Sequence, residues 1–218
     1  MDEQQQKTKK YWDNFYGSRN LASEEIPSQF AVFVCNEFPN YKNIIDFGCG
    51  SGRDSFFFAR HFSEVIGVDG SSSAIKICET KKSNTAVSNI SFYEINLSSA
   101  ENCTNFYHEN NILLNKSVFY ARFFLHAVDE NTEKNFLKIA GLASSHDAVI
   151  AVEFRTLRDK LQPKVTDTHY RRYIDPLRFI ENARLEGLQT SYFTEGFGLA
   201  KYLSDDAHVA RLILTKNV

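Results

Sequence analysis

The chain has 218 residues, 43% hydrophobic and 24% charged, the balance of one globular domain, which excludes disorder and collagen-like repeats. Its 25 Lys and Arg against 27 Asp and Glu leave a net charge of −2, which argues against a protein whose main task is to coat nucleic acid or lie on an anionic membrane. No apolar run approaches the roughly 18 residues of a membrane helix. The polar start MDEQQQKTKK has no apolar signal core, so a cytoplasmic chain without membrane insertion is expected. Cys35, Cys49, Cys78 and Cys103 lie far apart, with no CxxC and no His at ligand spacing. They read as reduced, mostly buried thiols, and no metal is expected.

Strand and helix patterns alternate along the chain. Asn43–Phe47 is a short apolar run ending at glycines, and Arg53–Phe62 has helical content. Glu64–Asp69 is a second strand with a helix over Ser71–Thr80, and Ile90–Ile95 is a third with a weaker helix near Glu101–His108. Ser117–Phe124 is nearly continuously apolar, as a strand buried on both faces should be. Asp129 or Asn131 can cap a helix carrying Phe136, Leu137, Ile139 and Ala140. A fifth strand spans Ala148–Phe154, followed by a polar insert to Ile174. Asp175-Pro176 then starts a helix with Leu177, Ile180 and Ala183 on one face and Gly187 at its end. Leu188–Thr194 and His208–Thr215 are the last strands. This order predicts an α/β fold, a doubly wound, seven-stranded and mostly parallel sheet with one antiparallel strand near its edge. A single domain over 1–218 is expected, with a helical lid segment at 1–40 and a basic insert at 155–174 over the active site.

The sharpest motif is Asp46-Phe47-Gly48-Cys49-Gly50-Ser51-Gly52-Arg53. Its glycines are spaced G-x-G-x-G. The third glycine of a dinucleotide fingerprint would fall on Arg53, and no GK[ST] follows for a phosphate-binding loop. After a strand-ending acid, this spacing resembles motif I of class I S-adenosylmethionine-dependent methyltransferases. Glycine lets the backbone approach a ligand closely. Asp46 can interact with the methionyl ammonium, and Asp69, 21 residues beyond Gly48, can accept both ribose hydroxyls.

The resemblance runs along most of the chain. Tyr11-Trp12-Asp13-Asn14-Phe15-Tyr16 is similar to the YW-x-x-x-Y segment of many such enzymes, which implies that Tyr11 reaches the methionine carboxylate. The resemblance implies a cofactor set of Tyr11, Trp12, Asp46, Gly48, Cys49, Gly50, Asp69, Gly70, Ser71, Asn96, Leu97 and Arg122. Tyr16, Arg155, Tyr170, Arg171 and Arg172 are the expected acceptor-binding residues. S-adenosylmethionine, with S-adenosylhomocysteine as product, is the implied cofactor. The Leu125-His126-Ala127 stretch matches a post-strand-four region often written V-L-H-H, its second His being Ala127 here.

The acceptor is read from three features. No [DNS]-P-P-[YFW] motif exists among prolines 27, 39, 163 and 176, so nucleic acid is not an expected acceptor. The insert 155–172 holds Arg155, Arg158, Lys160, Lys164, Arg171 and Arg172 against Asp159 and Asp167, a net +4 suited to phosphate or carboxylate. The segments Asp167–Tyr173 and Glu195–Tyr202 look similar to methyltransferases of bacterial surface-polysaccharide gene clusters. The expected acceptor is therefore an anionic small molecule or glycan-linked group, carbohydrate-linked or phosphate-bearing. A small-molecule N- or O-methyltransferase of general metabolism and a catalytically silent, cofactor-binding subunit are the alternatives. For a hydroxyl acceptor, His126 and His169 are the candidate general bases.

Overall fold

The computed structural model describes residues 2–18, 26–109, 115–164, 169–202 and 204–217. Before the sheet come α1 (Glu3–Ser18) and α2 (Gln29–Glu37). The first half of the sheet is β1 (Asn43–Phe47), α3 (Arg53–Phe58), β2 (Glu64–Asp69), α4 (Ser72–Ser83), β3 (Ile90–Glu94) and α5 (Ala100–Glu109). The second half is β4 (Ser117–Arg122), α6 (Glu130–Ser144), β5 (Val149–Arg155), α7 (Pro176–Leu185), β6 (Leu188–Gly196) and β9 (Val209–Lys216), with the two-residue strands β7 (Lys201–Tyr202) and β8 (Asp205–Asp206) forming a small hairpin before β9.

The main sheet has the order β3-β2-β1-β4-β5-β9-β6. β1 to β5 are parallel, and β9 runs antiparallel between β5 and β6. Strand alternation splits the core in two. Ile45, Phe47, Phe119, Ile150 and Leu212 face α5, α6 and α7, joined by Phe106, Phe136 and Phe179. Ile44, Val65, Val118, Tyr120 and Ile213 face the other way, against Phe30 and Val34 of α2, Phe58 of α3 and Cys78 of α4. Strand order reverses between β1 and β4, so the crevice for a ligand opens beyond the C-terminal ends of those strands.

Local capping explains the helix starts. Ser28, Ser71, Asp129 and Asp175 each accept a backbone N–H at the head of α2, α4, α6 and α7. Two expectations shift. β4 stops at Arg122 rather than Phe124, because Phe123 adopts φ +57° and turns the chain out of the sheet. On α7 the buried face is Pro176, Phe179 and Ala183, while Leu177 is 67% exposed; the helix is rotated so that Phe179 reaches the core. Among the described residues no helix is long and apolar enough to cross a membrane.

Candidate active site

A cleft of about 970 Å³, its solvent-open mouth included, runs along the C-terminal ends of β1, β2 and β4. It is lined by Gly48 after β1, Asp69, Gly70 and Ser71 after β2, Asn96 and Leu97 after β3, Phe123 and Phe124 after β4, and Tyr170 of the insert. Trp12 and Tyr16 of α1 close it from above.

The glycine loop is folded by its own backbone. Gly48 and Cys49 donate N–H bonds to the Val68 carbonyl at 2.8 and 3.1 Å, tying the loop to the end of β2. Gly48, Gly50 and Gly52 have φ of +72°, +56° and +77°, a region that side chains disfavour. A Cβ at Gly48 would stand 2.8 Å from the Phe124 ring, and one at Gly50 would collide with the Tyr16 hydroxyl. The glycines therefore make room both for the turn and for neighbours pressed onto it.

Asp69 sits beneath this loop. Its carboxylate accepts Gly50 N–H at 2.9 Å and Ser71 N–H at 2.8 Å, which leaves lone pairs for further donors. Burial raises its pKa above the ordinary value, against the pull of those two bonds. Asn96 Oδ1 accepts Ser98 N–H and Oγ–H, at 3.1 and 2.7 Å. Its amide donors carry no bond to the described residues.

Asp46 does not line the cleft. It is 3% exposed behind the loop and accepts the Ser55 hydroxyl at 2.5 Å. Burial, with Asp54 next in effect, raises its pKa to about 7. Its expected approach to a methionyl ammonium is thus replaced by a supporting place under the loop, because β1 turns its side chain to the α3 face. Cys49 is also buried in that layer, and burial raises its thiol pKa well above 9.0. Cys78, on α4, reaches the Gly50 carbonyl at 3.2 Å from below the same loop.

α1 lies across the strand ends, held by polar residues four apart. Gln5 Nε2 donates to Asp129 at 2.7 Å, Lys9 Nζ to the Gly70 carbonyl at 2.5 Å and to Glu94 at 2.7 Å, and Asp13 accepts Ser71 Oγ–H at 2.7 Å. That i, i+4 stripe was present in the sequence but indistinguishable there from an ordinary solvated face. Tyr11, expected on the cofactor, turns onto His169 instead, with ring centroids 4.5 Å apart. Trp12 and Tyr16, one helical turn apart, point into the cleft, so Tyr16 meets the glycine loop rather than standing among acceptor residues.

The expected acceptor residues divide. Tyr170 lines the cleft. Arg155 is 5% exposed and bound to Asp159 at 2.6 Å and to Asp205. Arg172 pairs with Glu133 and donates to the Leu125 carbonyl at 3.1 Å. Lys164 pairs with Asp159 at 3.0 Å and Arg158 with Glu195 at 3.3 Å. Four of the six cations of the insert are thus engaged by acids of the same chain. Arg171 lies with Nη2 at 3.2 Å from a ring nitrogen of His169. Residues 165–168 of the insert, which include Asp167, fall outside the described residues, as do 19–25 of the lid segment.

His126 is buried, and its Nδ1 accepts the Arg155 backbone N–H at 3.3 Å. Burial, then Arg155 and Arg171, push its pKa well below 6.5. A neutral imidazole that accepts at Nδ1 carries its proton on Nε2, so neither nitrogen offers a free lone pair to a substrate. His126 holds the end of β5 instead of acting as a base. Arg122, expected on the cofactor, bonds to Glu153 at 2.9 Å on the α2 face of the sheet and is absent from the cleft wall.

The fold order, the glycine loop and the acid after β2 together define a Rossmann-like methyltransferase architecture. Residues 40–169 match the family described as "Methyltransferase domain", and the chain belongs to that family. A probable S-adenosylmethionine-dependent methyltransferase of Saccharomyces cerevisiae is 44% identical over 72 residues, covering 29% of this chain and 25% of the yeast protein. The chain thus matches about a quarter of that relative's length. A crystal structure of an S-adenosylmethionine-dependent methyltransferase from Anabaena variabilis superposes with a TM-score of 0.70 at 19% identity, covering 96% of this chain and 93% of that one. Magnesium protoporphyrin IX methyltransferase from Synechocystis, solved with bound S-adenosylhomocysteine, gives 0.60 at 12% identity, covering 100% and 88%.

Proposed function

We propose that the protein transfers the methyl group of S-adenosylmethionine to a small-molecule acceptor seated at the Phe123–Tyr170 end of the cleft. The observation that carries this reading is the glycine loop, bent at three positive φ angles around the Asp69 carboxylate and roofed by Trp12 and Tyr16. The residues fit the cofactor. Gly48 lines the cleft with backbone alone, Asp69 retains lone pairs for ribose hydroxyls, and Asn96 retains amide donors for an adenine edge. When bound, the cofactor supplies an electrophilic methyl group on sulfur. The protein's part is then alignment and exclusion of water, which α1 provides from above.

The narrower reading, an anionic acceptor of surface-polysaccharide biosynthesis, loses the insert as its support, since most of that charge is neutralised internally. Neither histidine is carried forward as a base. Calorimetry with S-adenosylhomocysteine, followed by an acceptor screen that detects its release from S-adenosylmethionine, tests the proposal. No heat of binding at millimolar ligand would sink it, and binding without turnover on any acceptor would favour the silent-subunit alternative.

A further inference from the structure

Phe123 is a bulky residue at a position shaped for glycine. Its φ of +57° is one that an aromatic side chain rarely adopts. The other described non-glycine residues with positive φ, Lys116 and Asp147, are absent from the cleft wall, whereas Phe123 lines it. The Phe123 backbone is fixed, with its N–H on the Glu153 carbonyl at 2.8 Å, one residue past the end of β4. From there the chain runs through the Leu125–Ala127 turn to Asp129, the cap of α6. Glycine would make that turn without strain, so the ring is what the strain preserves.

The ring is held by several neighbours. The guanidinium carbons of Arg122 and Arg155 stand over it, 4.3 and 5.3 Å from its centroid, and the His126 ring meets it at a steep angle, 4.9 Å away. Phe123 also packs against Ala200, Ala207 and Val209 around the β7–β8 hairpin. These neighbours are themselves tied, Arg122 to Glu153 and Arg155 to Asp159 and Asp205. Gly48, Asp69 and Asn96 follow β1, β2 and β3, whereas Phe123 follows β4 and leans on the β9 side, across the reversal of strand order. It therefore stands where the proposed cofactor residues leave room for an acceptor. The cleft-lining Asp129 accepts Gln5 Nε2–H and Thr132 N–H, and Lys9 donates to the Gly70 carbonyl and to Glu94. Those charges are engaged within the chain, and the wall around Phe123 is ring surface, from Phe124, Trp12 and Tyr170.

We propose that Phe123 is the specificity-determining residue of the acceptor site, its fixed ring receiving a neutral, planar aromatic part of the acceptor. The proposal deepens the methyltransferase reading and rests on it for the presence of an acceptor. Methyl transfer needs the accepting atom in line with the cofactor's methyl group, and a ring seated on Phe123 is held against sideways slip. A side chain already locked by its surroundings loses no rotamer freedom when the acceptor docks. Leu would cover the same wall but would offer no ring for a planar partner to meet.

The test uses the full chain saturated with S-adenosylhomocysteine and titrated calorimetrically with three probes: 2-naphthol, its saturated counterpart decahydro-2-naphthol, and anionic 2-naphthoate. The native protein should prefer 2-naphthol to the saturated probe by several-fold to about tenfold, the size of a ring–ring contact, and should bind 2-naphthoate more weakly than 2-naphthol. F123L keeps the bulk and should lose the preference for the planar probe; F123A should lose it too and bind 2-naphthol about tenfold or more weakly. S-adenosylhomocysteine affinity should stay within about threefold in both variants, which separates acceptor contact from general damage to the cleft. F123G lacks the ring as F123A does but takes φ +57° freely, so it should unfold at higher urea than F123A and serves as the folded variant if F123A is not. Equal urea midpoints for F123G and F123A would remove the strain and with it the proposal. A planar preference retained in F123L and F123G, tighter binding of 2-naphthoate than of 2-naphthol, or no saturation by 2-naphthol up to about 20 mM overturns the proposal while leaving the methyltransferase reading in place. Failure of the native protein to bind S-adenosylhomocysteine would instead overturn the methyltransferase reading itself.

Discussion

Replacing Asp46 with Asn measures what the support under the glycine loop costs the fold. Asp46 is 3% exposed, and its one bond to the described residues comes from the Ser55 hydroxyl. Burial first, then the neighbouring Asp54, moves its pKa from 3.8 to about 7. A rise of about 3 units corresponds to about 4 kcal/mol. The folded-state pKa lies above the unfolded one, so this group's contribution to stability is fully present below pH 3.8 and is lost as pH rises through about 7. Asn has the same shape, carries no charge and can still accept from Ser55. Urea unfolding of D46N and native protein at pH 5 and pH 8 isolates this group, because the other titrations cancel in the difference. Linkage predicts that the stability of D46N relative to native rises by about 2–3 kcal/mol between those two pH values. The gain should coincide with weaker S-adenosylhomocysteine binding, since the variant lacks the negative charge behind the loop. A difference that stays constant from pH 5 to pH 8 would refute the reasoning and show that Asp46 is ionised without penalty.

Three further outcomes are expected. Asp69→Ala removes an acceptor from Gly50 and Ser71 N–H and should weaken S-adenosylhomocysteine binding by about 1.5–3 kcal/mol; unchanged affinity by calorimetry would place the ribose acid elsewhere. Deleting residues 1–16 should leave a cooperatively unfolding domain, because α1 contributes no buried residue, but with much weaker cofactor binding. Equal binding by the truncated chain would reduce Trp12 and Tyr16 to packing residues. Arg172→Ala strands Glu133, which is 4% exposed, and should cost about 3 kcal/mol in denaturant unfolding while leaving the acceptor KM unchanged. A raised KM without loss of stability would return Arg172 to the acceptor site.

Features set by near neighbours in the chain were legible in the sequence. The Gly48–Gly52 loop is such a case, since three glycines at alternate positions after an apolar strand allow the positive φ angles that the turn needs. The caps at Asp129 and Asp175 are another, because each serves a backbone N–H two or three residues away. The parallel order followed from alternating strands and helices. The destination of charges was not legible. The insert counts as net +4 along the chain, but Arg172 meets Glu133 from 39 residues away and Arg155 meets Asp205 from 50, partners that only the packed fold supplies. His126 likewise looked like a base until β5 brought the Arg155 N–H to its Nδ1. Arg122 likewise met Glu153 only when strand register set the two side by side. Backbone conformation is decided over a few residues, whereas an ion pair depends on which distant side chain shares its few ångströms of enclosed space, and that is a property of the tertiary structure alone.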